Sequence, residues 1–379
     1  MPTRGFPTAE YEARTARAQE RMAERGLEGM LLSTEADVRY FTGFHTAFWQ
    51  SPTRPWFVLL PAAGKPVAVI PEIGVPLMRT TWVDDIRSWP APDPDDDGVS
   101  LLIELLSPLS RLGLPMGHET HLRMPLADWT RMRAALPGLE IEDATEITQG
   151  LRAIKSEAEI AKIAHICAIG ARAFSQVPEF ALTGAPLDGV FRAFRRAALT
   201  EGADEVPYLV GAAAQGGYAD VISPPDAQPL ATGDILMLDS GCSWDGYFCD
   251  FDRNWAIGPP TDAARRAYDT LWTATQAGID AARPGATCRD LYDAMARSLG
   301  TSGGNVGRLG HGLGMQLTEQ PSLAAFDETP LAAGMVLTIE PSLPYGDGLM
   351  MVHEENIVVQ DGPAALLTPR AEPELPVIG

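Results

Sequence analysis

Gly233-Asp-Ile-Leu-Met-Leu-Asp239-Ser-Gly-Cys-Ser-Trp-Asp-Gly-Tyr-Phe-Cys-Asp250 is the stretch that decides the fold of the second half of this chain. An apolar strand runs into Asp239, the Asp245-Gly246 dipeptide signals a tight hairpin turn, and the returning strand carries Asp250. Two carboxylates on partner strands can therefore meet. Alternation puts Asp250 on the same face as Phe248, so it needs a neutralising partner, either Arg253 or a metal. Taken alone, such a hairpin reads as a structural ion pair; the histidine and carboxylates further along the chain shift the balance. Tyr247 and Trp244 read as core and pocket-wall residues, and Cys249 as a small buried hydrophobe.

Three further segments carry similar groups. In Gly310-His-Gly-Leu-Gly314 the glycines flanking His311 let the backbone crowd close and hold the ring in place. Gly334-Met-Val-Leu-Thr-Ile-Glu340-Pro341 is a second apolar strand ending in a carboxylate, closed by a proline that cannot donate in a ladder. In Met350-Met-Val-His-Glu-Glu-Asn-Ile-Val-Val359, Glu354 and Glu355 face opposite sides of a strand, and His353 points away from Glu354 as a packed or dimer-facing residue. Asp239, Asp250, His311, Glu340 and Glu354 together are oxygen donors with one imidazole and no thiolate. That is the donor set of a hard or borderline divalent metal, and the number of carboxylates suits two ions. Manganese is the first expectation for such ligands, with zinc, cobalt and iron also suitable.

The chain has 379 residues, 45% of them hydrophobic, enough for two domains that each bury a core. A formal net charge of −21 disfavours nucleic acid and anionic membrane as partners. Apolar runs such as Trp56 to Pro61 are too short to span a bilayer, and the N-terminal residues lack the apolar core of a signal peptide, so a cytoplasmic protein is expected. Cys167, Cys242, Cys249 and Cys288 form no Cys-x-x-Cys pair and read as free thiols. Residues 1–150 alternate helical and strand patterns and are expected to form an α/β domain. It includes a strand at Gly29 to Ser33 and a hairpin whose strands, Trp56 to Pro61 and Pro66 to Ile70, join at Ala62 to Lys65. The run Pro90 to Gly98, rich in Pro and Asp, reads as a solvated loop. A second domain, 151–379, opens on a helix with a Ser156/Glu159 capping box and a buried stripe of Ile160, Ile163, Cys167 and Ile169 or Gly170. Further helices at Leu187 to Ala198, Ala263 to Ala282 and Cys288 to Leu299 against antiparallel strands make this half α+β.

On these residues the chain resembles the pita-bread metallopeptidases, a family that includes methionine aminopeptidase, prolidase, aminopeptidase P and creatinase. The resemblance spans nearly the whole length: Tyr40-Phe-Thr-Gly-Phe44 in a creatinase-type N-terminal domain, Leu151-Arg-Ala-Ile-Lys-Ser156 at the linker, and all five ligand positions, with Asp239 and Asp250 eleven residues apart. It implies that Asp239 binds one metal, that His311 and Glu340 bind the other, and that Asp250 and Glu354 bridge them. It also implies that Glu340 moves the proton in amide hydrolysis by a water activated between two divalent cations. In creatinase-like relatives the loop matching Phe44 to Trp56 reaches a neighbouring subunit's site, so Arg54, with Trp49, becomes a candidate clamp for a substrate carboxylate in a homodimer, with plain packing between domains as the equal alternative.

The pattern also breaks. Where the family carries a histidine seven residues after the ligand histidine, this chain has Thr318, which then faces substrate in its place; Val221 to Asp226 offers no histidine; and Val352 replaces an arginine two residues before the last glutamate. The first functional reading is a Xaa-Pro aminopeptidase or dipeptidase. The alternative is a metal-dependent hydrolase or lyase acting on a small carboxylated metabolite, resembling creatinase, ectoine hydrolase or dimethylsulfoniopropionate lyase. A binding protein without catalysis is hard to reconcile with five retained ligands.

Overall fold

Short runs rich in leucine and β-branched residues in the first 150 residues pair into one mixed sheet. The computed structural model describes residues 1–51, 54–300 and 307–379. It divides into two units, Thr3–Arg152 and Ala153–Gly379, the latter joined by Met1 and Pro2. The first unit holds β1 (Gly29–Leu32), β2 (Phe57–Pro61), β3 (Val67–Pro71), β4 (Asp85–Trp89), β5 (Arg111–Leu114) and β6 (Glu140–Asp143) in the order β4-β3-β2-β1-β5-β6. The expected hairpin is β2 with β3, with Val58 opposite Ala68. The run Pro90 to Gly98 is a loop closed on itself: Asp97 accepts the Trp89 indole N–H at 2.7 Å, and Asp93 accepts the N–H groups of Asp95 and Asp96. Trp49 is buried among Phe44 and Trp56, with the Arg123 guanidinium 5.3 Å from its ring centre.

The second unit is α+β. Strands β7 (Glu205–Gln215), β8 (Asp234–Trp244), β9 (Tyr247–Phe248) and β10 (Phe251–Ile257) build one sheet. A second runs β12 (Glu319–Ser322), β11 (Gly310–Gly312), β13 (Val336–Ile339), β16 (Glu355–Val358) and β17 (Ala365–Leu366). A ribbon of β14 (Ser342–Tyr345) and β15 (Leu349–Val352) stands beside them, and β18 (Val377–Ile378) pairs with β10. Helices Asp262–Ala281 and Cys288–Leu299 bury Leu271, Ile279, Leu291 and Met295 in a core shared with Leu337, Ile339 and Ile357 of the second sheet. Between β8 and β9, Asp245 (φ 47°) and Gly246 (φ 71°) both take the left-handed conformation that a two-residue hairpin turn requires.

Helix Glu157–Ser175 carries the expected capping box, but its buried face corrects the sequence reading. Ile160 is only half-buried, while Glu159 and Lys162 face inward. Burying charges is tolerated only with partners. Here the Tyr247 hydroxyl donates to Glu159 at 2.9 Å and Lys162 pairs with Asp245 of the hairpin turn. Among the described residues no helix is long and apolar enough to cross a membrane.

Candidate metal centre

Two sheet registers bring the acidic groups to one place. In the first sheet Asp239 of β8 stands opposite Asp252 of β10, and Asp250 lies just before that strand. In the second, β13 and β16 are antiparallel with Ile339 opposite Glu355, so Glu340, one residue past β13, and Glu354, one residue before β16, emerge at the same end. His311 arrives on β11 opposite Thr338. Asp250, His311 and Glu354 each offer one donor atom within 4.8 Å of the others. His311 Nε2 lies 3.5 Å from Asp250 Oδ2 and 3.9 Å from Glu340 Oε2. About a third of the Glu340 side chain is exposed, whereas His311 and Asp250 are almost fully enclosed.

Glycine beside His311 is a steric requirement. Gly310 has φ 138°, and a Cβ there would lie 2.1 Å from the Thr338 carbonyl oxygen; at Gly312 it would lie 2.3 Å from that of Gln320. The ring is oriented by its own strand: Nδ1 donates to the Gly312 carbonyl at 2.8 Å, which leaves the Nε2 lone pair facing the carboxylates.

Burial and mutual repulsion set the electrostatics. The acidity of Asp239 is pushed up to about 7, by burial first and then by Glu340, against a hydrogen bond from Tyr208. Asp250 and Glu354 lie well above the usual carboxylate range, through burial and then each other's neighbours in the cluster. Glu340 is raised by burial. His311 is lowered to about 4 by burial, so it is neutral at physiological pH. Asp239 Oδ1 is buried with no hydrogen-bond partner among the described residues. Four crowded carboxylates, one neutral imidazole and an orphaned buried oxygen fit divalent cations, which favour ionised oxygens and an unprotonated ring.

A second layer fixes these groups. Asn356 accepts the Asp250 N–H at 2.9 Å and donates to the Asp250 carbonyl, and Thr338 Oγ1 donates to Glu354. Asp252 accepts the Glu354 N–H at 2.6 Å and the Asn254 side-chain amide at 2.9 Å. Glu355, as alternation requires, points the other way, to Arg253 at 3.1 Å and Arg370 at 3.2 Å. Arg253 is thereby corrected as a neutraliser for Asp250: it lies on the opposite face and serves Glu355. His353 is buried against Thr275, with Nδ1 3.0 Å from its hydroxyl.

The remaining candidates are described by their own contacts. Thr318 is half-buried between β11 and β12, and its hydroxyl accepts from Arg308 Nη2 at 3.5 Å. Arg54 is half-buried and its carbonyl accepts from Arg123; Trp49 is part of the first unit's aromatic cluster. Of the second unit's three histidines, His165 packs edge-on to Trp244 at 4.8 Å and His353 bonds Thr275, leaving His311 as the one that joins the carboxylates. Sequence reasoning missed Tyr208, Asp252 and Asn356. Asp252 had a signal, since it shares a face with Asp250 two residues earlier. Tyr208, inside an ordinary strand, had none.

Comparison with known proteins places this geometry. Residues 161–361 match the sequence model of Metallopeptidase family M24, and residues 14–154 match that of the Creatinase/Prolidase N-terminal domain. The chain is 29% identical over 386 aligned positions to a probable dipeptidase PepE of Mycobacterium bovis, covering 96% of each. It is 26% identical to a Xaa-Pro dipeptidase of Lactobacillus delbrueckii subsp. lactis, covering 90% of this chain and 93% of the relative. The crystal structure of dipeptidase PepE from Mycobacterium ulcerans superposes with a TM-score of 0.85 at 28% identity, covering 99% of both chains. With a catalytic-half match spanning more than half its length, the chain belongs to metallopeptidase family M24 and carries that family's creatinase/prolidase-type N-terminal domain.

Proposed function

We propose that the protein is a dinuclear metallopeptidase hydrolysing the bond before proline in Xaa-Pro dipeptides or peptide N-termini, working as a cytoplasmic homodimer. In this reading residues 1–150 form the accessory domain and 151–379 the catalytic one. The observation that carries it is the convergence of Asp250, His311, Glu340 and Glu354, on or at the ends of four strands, beside Asp239, whose buried oxygen lacks a partner among the described residues. Similarity to proteins named dipeptidase and Xaa-Pro dipeptidase supports the substrate class.

Asp239 and Asp250 from the first sheet, with His311, Glu340 and Glu354 from the second, would hold two divalent ions, manganese first among them. Such a pair, when bound, supplies a water of lowered pKa and an electrophile for the scissile carbonyl. Glu340, the exposed member of the set, takes the proton from the attacking water and delivers it to the leaving amine nitrogen. Tyr208, held as a neutral phenol by burial and the neighbouring carboxylates, keeps a hydrogen bond on Asp239. In this proposal Trp49 supports the loop that carries Arg54, and Arg54 reaches the partner subunit's substrate. Thr318 lines the substrate side, where it positions Arg308.

A second reading, a hydrolase or lyase of a small carboxylated metabolite, draws on one observation: His311 is alone among the second unit's histidines in meeting the carboxylates. Turnover of manganese- and zinc-reconstituted protein on Ala-Pro and on a longer Xaa-Pro peptide, with Asp250→Ala as control, separates the two. Metal bound without peptide turnover would favour the metabolite enzyme.

A further inference from the structure

We propose that Cys242 and Cys249 form a redox switch: a small hydroperoxide joins them in a cross-strand disulfide that displaces Asp250 and weakens metal binding, and a thiol reductant reverses the change.

The two cysteines stand on the hairpin between Asp239 and Asp250. β8 and β9 pair Trp244 with Tyr247 and Ser243 with Phe248, so the next position sets Cys242 against Cys249. The Cys249 N–H donates to the Cys242 carbonyl at 3.0 Å, which makes this a hydrogen-bonded pair whose side chains share one face of the sheet. The Cys249 thiol lies 3.7 Å from the Cys242 carbonyl oxygen, the Cys242 sulfur lies 3.3 Å from Ser240 Oγ, and the two thiols interact with each other. Both are free thiols in the structure.

The bond is within reach, but it requires movement. Residues opposed in a hydrogen-bonded pair have Cα atoms about 5.5 Å apart, inside the range that a disulfide spans. Their Cβ atoms are also about 5.5 Å apart, whereas a disulfide holds them at about 3.8 Å. Closing that gap pulls on the backbone of Cys249, and the next residue is Asp250. Asn356 holds the Asp250 N–H at 2.9 Å and the Asp250 carbonyl, and His311 Nε2 lies 3.5 Å from the Asp250 carboxylate. A displaced backbone there disturbs all of these contacts at once. A bond formed against such resistance is readily reduced, as reversibility requires.

The chemistry balances on one molecule of hydrogen peroxide. One thiol attacks a peroxide oxygen, the O–O bond breaks, and water leaves with the thiol proton, giving a sulfenic acid. The second thiol attacks that sulfur, the S–S bond forms, and a second water leaves with the second proton. Both sulfurs are fully buried, so the oxidant must be small and enters when the hairpin opens locally.

The test treats manganese-loaded and zinc-loaded protein with hydrogen peroxide, the zinc form because that ion has no redox chemistry of its own. Thiols titrated in denaturant should fall by one pair from the four of the reduced chain, and peptide mapping should join Cys242 to Cys249. Metal affinity should drop about tenfold or more, the scale of disturbance next to a ligand, and dithiothreitol should restore it. Cys242→Ala should keep its metal affinity under peroxide, whereas Cys288→Ala should switch as wild type does. The inference is overturned if all thiols persist in wild type, if Cys167 is joined instead, if the bond forms without loss of metal affinity, or if Cys242→Ala responds as wild type does. Mapping of the wild-type protein decides the pairing even where a variant fails to fold, and none of these measurements needs a peptide substrate.

Discussion

Asp252 Oδ1 accepts the backbone N–H of Glu354 at 2.6 Å. A buried carboxylate that is not one of the five candidate ligands thus fixes the chain where a ligand enters its strand, and ties the two sheets together at the centre. Replacing Asp252 with Asn removes the charge and sets an NH2 group against the Glu354 N–H in one rotamer and against the Asn254 side-chain amide in the other. We predict that Asp252→Asn loses metal affinity about tenfold to a hundredfold, as outer-shell changes do, while the fold persists. Metal titration of wild type and variant checks this; equal affinities would show that Asp252 serves packing alone.

Asp250 meets His311 Nε2 at 3.5 Å and lies in the three-residue donor cluster, so its loss is expected to remove metal and activity together. In Asp250→Ala, bound metal measured after dialysis should fall by at least one ion per chain, with no detectable turnover. Retained turnover in the metal-depleted variant would sink the metal mechanism.

Linkage gives a pH prediction whose sign is set by the direction of each shift. Asp239, Asp250, Glu340 and Glu354 have acidities raised in the folded, metal-free protein, so there the folded state holds more protons than the unfolded one. Stability contributed by these groups is present below the ordinary carboxylate range and is lost as pH rises, for Asp239 through about 7. His311, lowered to about 4, acts oppositely: the stability it contributes is present above its unfolded pKa and lost as pH falls. Above about 6.5, the ordinary histidine value, only the carboxylates remain in play. The Tm of chelator-treated protein should therefore decline between pH 6.5 and 8, while the gain in Tm on adding manganese grows over the same interval. A metal-induced gain independent of pH would contradict the assignment of these carboxylates as ligands.

The centre was legible because its groups break local rules: carboxylates at the ends of apolar strands and a histidine between glycines have no place in a plain core. Asp239, Asp250, His311, Glu340 and Glu354 are visible for that reason, as is the hairpin turn at Asp245-Gly246. What holds them was less legible. Tyr208 reaches Asp239 only through the register in which β7 pairs with β8, and Asn356 brackets Asp250 from a strand of the other sheet. The same limit produced the misreading of helix Glu157–Ser175. Periodicity favoured Ile160 for the buried stripe, yet Glu159 and Lys162 are inside because Tyr247 and Asp245 of a distant hairpin wait there as partners.

Lys155 and Glu319 form a similar buried pair, with Nζ to Oε2 at 3.1 Å and side chains 2% and 4% exposed. The other oxygen of Glu319 accepts the N–H groups of Met315 at 2.9 Å and Gln316 at 3.1 Å, so one carboxylate closes the turn after His311-Gly-Leu-Gly314. Lys155→Met keeps most of the volume but takes away the ammonium that lies 3.1 Å from the Glu319 carboxylate in a dry site. Removing one partner of a buried pair costs about 3–5 kcal/mol, whereas replacing both costs far less. Lys155→Met should therefore destabilise by that amount and weaken metal binding by loosening the turn. Lys155→Met combined with Glu319→Gln, which retains an acceptor for Met315 and Gln316, should recover most of the stability. Denaturant unfolding of the three proteins with and without manganese measures both effects; a double variant no more stable than the single one would show that Glu319 needs its charge to hold the turn.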